Sequence, residues 1–209
     1  MRYNLSYQIY NKVHGMTRNS KSVFSNIGAS NHSKVEREKN DYYSTDASAI
    51  TLLHKHKLLD KDVKYWENAC GGGNLVKELN RLGYDCVGSD KYDRGFGDVG
   101  VDFFDCKHQF NGSIITNPPY SFINDWIVHS LELAKNKVYI FGRIQTIETI
   151  NRYNRIFKHN KPVWICPFVK RIKCYPNGDI FNKSSAVCYA WFIWDNTIDN
   201  KDTKVKWLI

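Results

Sequence analysis

Asn117-Pro118-Pro119-Tyr120 is the segment of this 209-residue chain best suited to activating a poor nitrogen nucleophile. It follows the short apolar run Ser113 to Thr116, and its two prolines forbid that strand from continuing. The amide oxygen of Asn117 and the main-chain carbonyl of Pro118 are two hydrogen-bond acceptors in one stiff turn. Side by side, they can each take one hydrogen of a planar amine such as that of adenine, whose lone pair is delocalised into the ring. That pull favours a pyramidal nitrogen with an available lone pair, so the transition state is held better than the ground state. Pro118 and Pro119 keep the acceptors in place before reaction. Tyr120 would stack on the base. A base inside a duplex cannot reach such a pocket, so it must be flipped out or single-stranded.

A second constellation lies upstream. Trp66-Glu67-Asn68-Ala69-Cys70-Gly71-Gly72-Gly73-Asn74 ends an apolar run and opens a helical one. Glycines there let backbone approach a nucleotide-like ligand closely, with Ala69, Cys70, Gly71 and Gly73 forming the turn. Asn74-Leu75 follows the last glycine where a phosphate loop needs Lys-Ser/Thr, which disfavours ATP or GTP hydrolysis. Asp90, at the end of the next strand-like run, can accept both ribose hydroxyls of an adenosine-containing cofactor, and Glu67 can orient water or an amino-acid end. By itself this turn suits a dinucleotide or S-adenosylmethionine equally. A nicotinamide oxidoreductase, however, has no use for Asn117-Pro118-Pro119-Tyr120.

These residues need an alternating scaffold to position them. Strand-like runs are expected at 63–68, 85–89, 113–116, 137–141, 163–168, 186–194 and 205–209. Helices are expected at 74–82, at 122–134 with Ile123, Ile127, Leu131 and Ala134 on one side, and at 147–157. The alternation predicts an α/β protein with a mostly parallel sheet, and the last three strands have no helix between them, which predicts antiparallel pairing there. Residues 171–185, with Pro176-Asn177-Gly178-Asp179 at their centre, read as a long turn-bearing connection. Residues 1–40 are polar and lack periodicity, so they read as an irregular arm before a domain spanning 41–209. The 42% hydrophobic content suits one core. No apolar run approaches the roughly 18 residues of a membrane helix, and no signal peptide opens the chain, which predicts a cytoplasmic protein. The six cysteines lack the paired spacing of a zinc site, so no metal is expected.

Taken together, the glycine turn and Asn-Pro-Pro-Tyr resemble the amino-methyltransferases, and more closely the small DNA N-6-adenine methyltransferase family common in bacteriophages and prophages. The likeness is carried by GASNHSKVEREKNDYYSTD (28–46), WENACGGGNLVKEL, GSDKYDRGFG, IITNPPYSF and SSAVCYAWFIW (184–194). It implies a Rossmann-like class I methyltransferase fold, a seven-stranded sheet with a terminal antiparallel pair, and S-adenosylmethionine as cofactor. It also implies that Tyr42, Tyr43, Ser44 and Thr45 touch the methionine end, that Asp90 binds the ribose, and that Asp102 meets the adenine amine of the cofactor with Phe103 beside the ring. The chain departs from the family pattern at Glu67-Asn68, where Asp-Pro or Glu-Pro is commoner.

The implied reaction is methylation of adenine N6 in DNA. Thirty Lys and Arg against 21 Asp and Glu, a net charge of +9, suit a polyanionic partner. Only about 25 residues separate Asp90 from Asn117, which leaves no room for a large recognition domain. Contacts to nucleic acid are therefore expected from the arm and from residues 143–185, through Arg143, Arg152, Arg155, Lys170, Arg171 and Lys173. The same tetrapeptide also serves enzymes acting on RNA adenine and on protein glutamine amides, and a non-catalytic DNA-binding module retaining the fold is the remaining alternative.

Overall fold

Period-two burial builds the sheet. Along Lys137–Arg143 (β6), Val138 and Ile140 enter the core on one face, and Tyr139 and Phe141 enter it on the other. Along Tyr189–Asp195 (β9), Ala190, Phe192 and Trp194 share the face of Val138, while Trp191 and Ile193 share that of Tyr139. Helices cover both faces, which is why these strands read as continuous apolar runs. The computed structural model describes residues 42–176, 187–199 and 202–209. The 1–40 arm and residues 177–185 of the connection expected over 171–185 lie outside the described residues.

The remaining strands of the sheet are β2 (Tyr65–Glu67), β3 (Cys86–Asp90), β4 (Asp98–Val99), β5 (Ser113–Thr116), β7 (Trp164–Pro167) and β10 (Lys204–Val205). Their spatial order is β4-β3-β2-β5-β6-β9-β7-β10. All neighbours are parallel except β9, which runs antiparallel to both β6 and β7. All seven expected strands are present, and β4 adds an eighth at the edge. Among the described residues the α-helices are α1 (Ser48–Lys55), α2 (Asn74–Arg81), α3 (Ile123–Leu133) and α4 (Ile150–Arg152). α1 and α2 pack on the Tyr139 face through Ile50, Leu53, Val76 and Leu79, and α3 packs on the opposite face through Trp126, Ile127 and Leu133. On α3, Leu131 is only half-buried, and Trp126 and Leu133 take the core places that the sequence pattern assigns to it.

Two features differ from expectation. The helix expected over 147–157 is broken: Thr149 has φ 83°, and only Ile150–Arg152 is α-helical before a π turn at Tyr153–Phe157. A positive φ at a β-branched residue cannot continue a helix. The Arg152 guanidinium instead donates to the carbonyls of Gln145, Thr146 and Glu148, which it ties together across the bend. The second difference is a separate antiparallel pair, β1 (Tyr43–Thr45) with β8 (Cys174–Pro176), in register Tyr43↔Pro176 and Thr45↔Cys174. Both strands are three residues long, too short to show a periodic signal.

Candidate functional site

β2 connects through α2 to β3 on one side of the sheet, and β5 connects through α3 to β6 on the other. Between the carboxyl ends of β2 and β5 the direction of connection reverses, which is where open α/β sheets form a ligand crevice. A cavity of about 520 Å³ lies there, walled by β1, the ends of β2, β3 and β5, and the start of α3.

At the end of β2, Gly71 and Gly73 have φ of 52° and 79°, and Gly73 is the residue from which α2 departs. A Cβ on Gly71 would stand 2.3 Å from the Tyr42 ring, and one on Gly73 would stand 2.3 Å from Phe96. These two glycines, expected at the cofactor turn, are not among the residues that line the cavity. They are required because the chain turns left-handed under two aromatic rings. Ala69 and Cys70 do line it, with Tyr42, Tyr43, Ser44, Thr45, Glu67, Asp90, Asp102 and Phe103. Burial pushes the Cys70 thiol up to about 12, so it stays protonated at neutral pH.

Asp90 is buried, and its two oxygens accept the main-chain N–H of Gly71 and of Tyr92, each at 2.9 Å. The carboxylate thereby ties the β3 end to the glycine turn and still has lone pairs for further donors. Glu67 is almost wholly buried; burial pushes its carboxyl up to about 8, the neighbouring Thr116 hydroxyl and the hydrogen bond from the Asn117 N–H oppose the rise, and nearby Asp90 adds to it. At neutral pH Glu67 is therefore mostly protonated. Asp102 forms an ion pair with Lys91 at 2.7 Å, which holds its carboxyl below the usual carboxylate range, and its other oxygen accepts the Phe104 N–H. Phe103 is stacked on Trp126 at 4.8 Å, so these two rings form an apolar wall beside Asp102.

Asn117, at the carboxyl end of β5, donates both amide hydrogens, to the Tyr43 carbonyl at 3.0 Å and to Thr45 Oγ1 at 2.8 Å. Its Oδ1 is buried with no hydrogen-bond partner among the described residues. A buried acceptor left unpaired costs on the order of 1–3 kcal/mol, which marks it as a place where a donor belongs. Pro118 is buried behind the turn and Pro119 lines the cavity. Tyr120 does not line it. Its ring continues a column with Tyr43 at 6.1 Å, Tyr189 at 6.2 Å and, beyond Tyr189, Phe141, and the Arg143 guanidinium lies 5.1 Å from its centroid. The expected open stacking face on Tyr120 is thus covered here by other aromatic rings.

Of the six expected nucleic-acid contacts, Arg143, Lys170, Arg171 and Lys173 are exposed. Arg152 is committed to the carbonyls of Gln145, Thr146 and Glu148 and to Asn124, and Arg155 forms an exposed ion pair with Asp125. Sequence reasoning missed Asn68, Trp126 and Arg94. Asn68 accepts the Trp126 indole N–H at 2.8 Å, and the Arg94 guanidinium lies 4.0 Å over the Tyr42 ring; all three line the cavity. Trp126 was legible, being three residues after Ile123 on the same helical face. Arg94 sits in an aperiodic loop, where no spacing signals its place. No helix among the described residues is long and apolar enough to cross a membrane.

No family model matches the sequence, and no curated protein matches it. Solved structures are similar in fold. A protein from Vibrio vulnificus YJ016 assigned as a modification subunit of a type I restriction enzyme matches with a TM-score of 0.55 at 11% identity, over 96% of this chain and 55% of its own. One from Pyrococcus horikoshii assigned as an RNA methyltransferase matches with 0.53 at 12% identity, over 71% of this chain and 81% of its own. One from Agrobacterium tumefaciens assigned as an O-methyltransferase matches with 0.51 at 12% identity, over 78% and 84%. Strand order, the single reversed strand β9 and these likenesses agree that the chain has the Rossmann-like methyltransferase fold.

Proposed function

We propose that this chain binds S-adenosylmethionine in the cavity and methylates the N6 amine of adenine in DNA. The observation that carries the reading is Asn117 Oδ1, an unpaired buried acceptor at the carboxyl end of β5, on the rim of a cavity large enough for a nucleoside-sized cofactor. Asp90 suits the ribose hydroxyls, and the Phe103–Trp126 wall with Asp102 suits an adenine ring and its amine. Arg94, with no carboxylate partner among the described residues, suits the carboxylate of the amino-acid end, and Glu67 lies nearer the reacting centre through its bond to the Asn117 N–H. When bound, S-adenosylmethionine supplies an electrophilic methyl group. The protein's own part is to hold the target amine by its hydrogens on Asn117 Oδ1 and the Pro118 carbonyl, freeing the nitrogen lone pair for attack.

For Tyr120 to stack on a base, its contact with Tyr43 or Tyr189 must open, so base entry is coupled to a shift of this aromatic column. DNA is favoured by the sequence resemblance, by the net charge of +9 and by the exposed cations Arg143, Lys170, Arg171 and Lys173. The test is transfer of labelled methyl to unmethylated DNA, with RNA and a protein extract in parallel, followed by nucleoside mass spectrometry. N6-methyladenine in DNA is the expected product. Label in RNA or in protein glutamine would retain the chemistry of Asn117 and replace the substrate; cofactor binding without label in any acceptor would leave a binding module.

A further inference from the structure

Thr45 belongs to a segment expected to touch the cofactor, yet its hydroxyl oxygen faces Asn117. It is 3% exposed, lies 2.8 Å from Asn117 Nδ2 and stands opposite Cys174 of β8 in the strand register. Resting on the function proposed above, we propose that Thr45 is a positioning residue: its hydroxyl holds the Asn117 amide in the orientation that the accept-only main-chain carbonyl of Tyr43 selects, so that oxygen, not nitrogen, meets the substrate amine.

A primary amide has two donor hydrogens and one acceptor oxygen, and the two ends have nearly the same shape. Only their partners decide which way round the group sits. The Tyr43 carbonyl can only accept, so a flipped Asn117 would set oxygen against oxygen at a separation of 3.0 Å in the present geometry. A flipped amide would also aim N–H groups at the N–H groups of the target amine and abolish the pull on its lone pair. Tyr43 and Thr45 are themselves held by pairing with Pro176 and Cys174, and between them Ser44 accepts a hydrogen bond from Asn74 at 2.6 Å, so the acceptors are anchored to α2 and β8. β1 thereby specifies the polarity of a catalytic group that lies 72 residues away in sequence.

The inference is tested with Thr45→Val, which keeps the branched shape and removes the hydroxyl, beside Thr45→Ser, which keeps the oxygen. Wild-type methyl transfer is measured first, and its absence counts against the proposed function alone. Given activity, Thr45→Val is expected to lower kcat about tenfold or more while cofactor Kd stays within about twofold, and Thr45→Ser is expected to recover most of the rate. An undiminished kcat in Thr45→Val overturns the proposal, as does a weakening of cofactor affinity that accounts for the whole fall in rate. A readout independent of turnover is hydrogen exchange at the Asn117 side-chain amide by NMR: slow in wild type and Thr45→Ser, fast in Thr45→Val. Equal exchange in all three would also overturn it. If Thr45→Val does not fold, Thr45→Ala supplies the same comparison.

Discussion

Asn117 and Glu67 carry the sharpest expectations at the scale of single residues. Asn117→Ala removes the acceptor and leaves the wall of the cavity otherwise intact. Methyl transfer is expected to fall by at least about a hundredfold, with cofactor affinity by calorimetry nearly unchanged; substantial residual turnover would remove Asn117 from its role. Glu67 gives a pH dependence. Its carboxyl is raised by burial from an ordinary value of 4.5 to about 8. Below the lower value both folded and unfolded chains hold the proton. Between the two, the unfolded chain has released it while the folded chain retains it, so the contribution of Glu67 to stability declines as pH rises, and the decline ends above about 8. Urea denaturation from pH 5 to 8 should show this fall in wild type and a flatter profile in Glu67→Gln. Equal slopes would mean that Glu67 is already ionised in the fold. Its place in the cavity wall was legible from its position at a strand end before glycines, whereas its protonation depends on being enclosed by β3, β5 and the turn.

At the scale of elements, the glycine turn ranks its own residues. Gly73 and Gly83 have similar φ, 79° and 85°, but a Cβ at Gly73 meets Phe96 at 2.3 Å and one at Gly83 meets nothing within 4 Å. Gly83→Ala should therefore cost only the left-handed strain of about 1–2 kcal/mol, and Gly73→Ala should cost clearly more, with an altered cavity edge. Equal unfolding free energies for the two variants would show that Phe96 yields freely. Seven of the eight strands of the main sheet, with α2 and α3, were legible, because their runs of Ile, Val, Tyr, Phe and Trp are bounded by Gly, Pro and Asp. α1, with Ala49, Ile50 and Leu53 buried on one face, was passed over although its pattern is present. The broken 147–157 segment was not legible: the apolar spacing suits a helix, and the choice was made by Arg152 capturing carbonyls across a bend.

For the whole molecule, charge and its distribution matter most. If the exposed cations Lys170, Arg171 and Lys173 meet phosphates, the log–log salt slope of DNA binding should flatten by about 0.9 for each phosphate that is no longer neutralised, so by roughly 2–3 for the triple alanine variant. Arg152→Ala should leave that slope alone and lower stability by on the order of 1–3 kcal/mol, since it strips several main-chain carbonyls of a charged donor. A reversal of these two results would exchange their roles. Composition could count these cations but could not separate them, because commitment to a carbonyl, a carboxylate or solvent depends on neighbours distant in sequence.

The sequence by itself determined the α/β class and the two strand-end turns, because local backbone chemistry and strand periodicity dictate these. Only the tertiary structure decided that Gly71 and Gly73 serve two aromatic rings, that Tyr120 is covered by Tyr43 and Tyr189, and that Thr45 faces Asn117. Each of those outcomes joins segments distant in the chain, and such pairings are chosen by how the layers close over the sheet, a choice on which no local pattern bears.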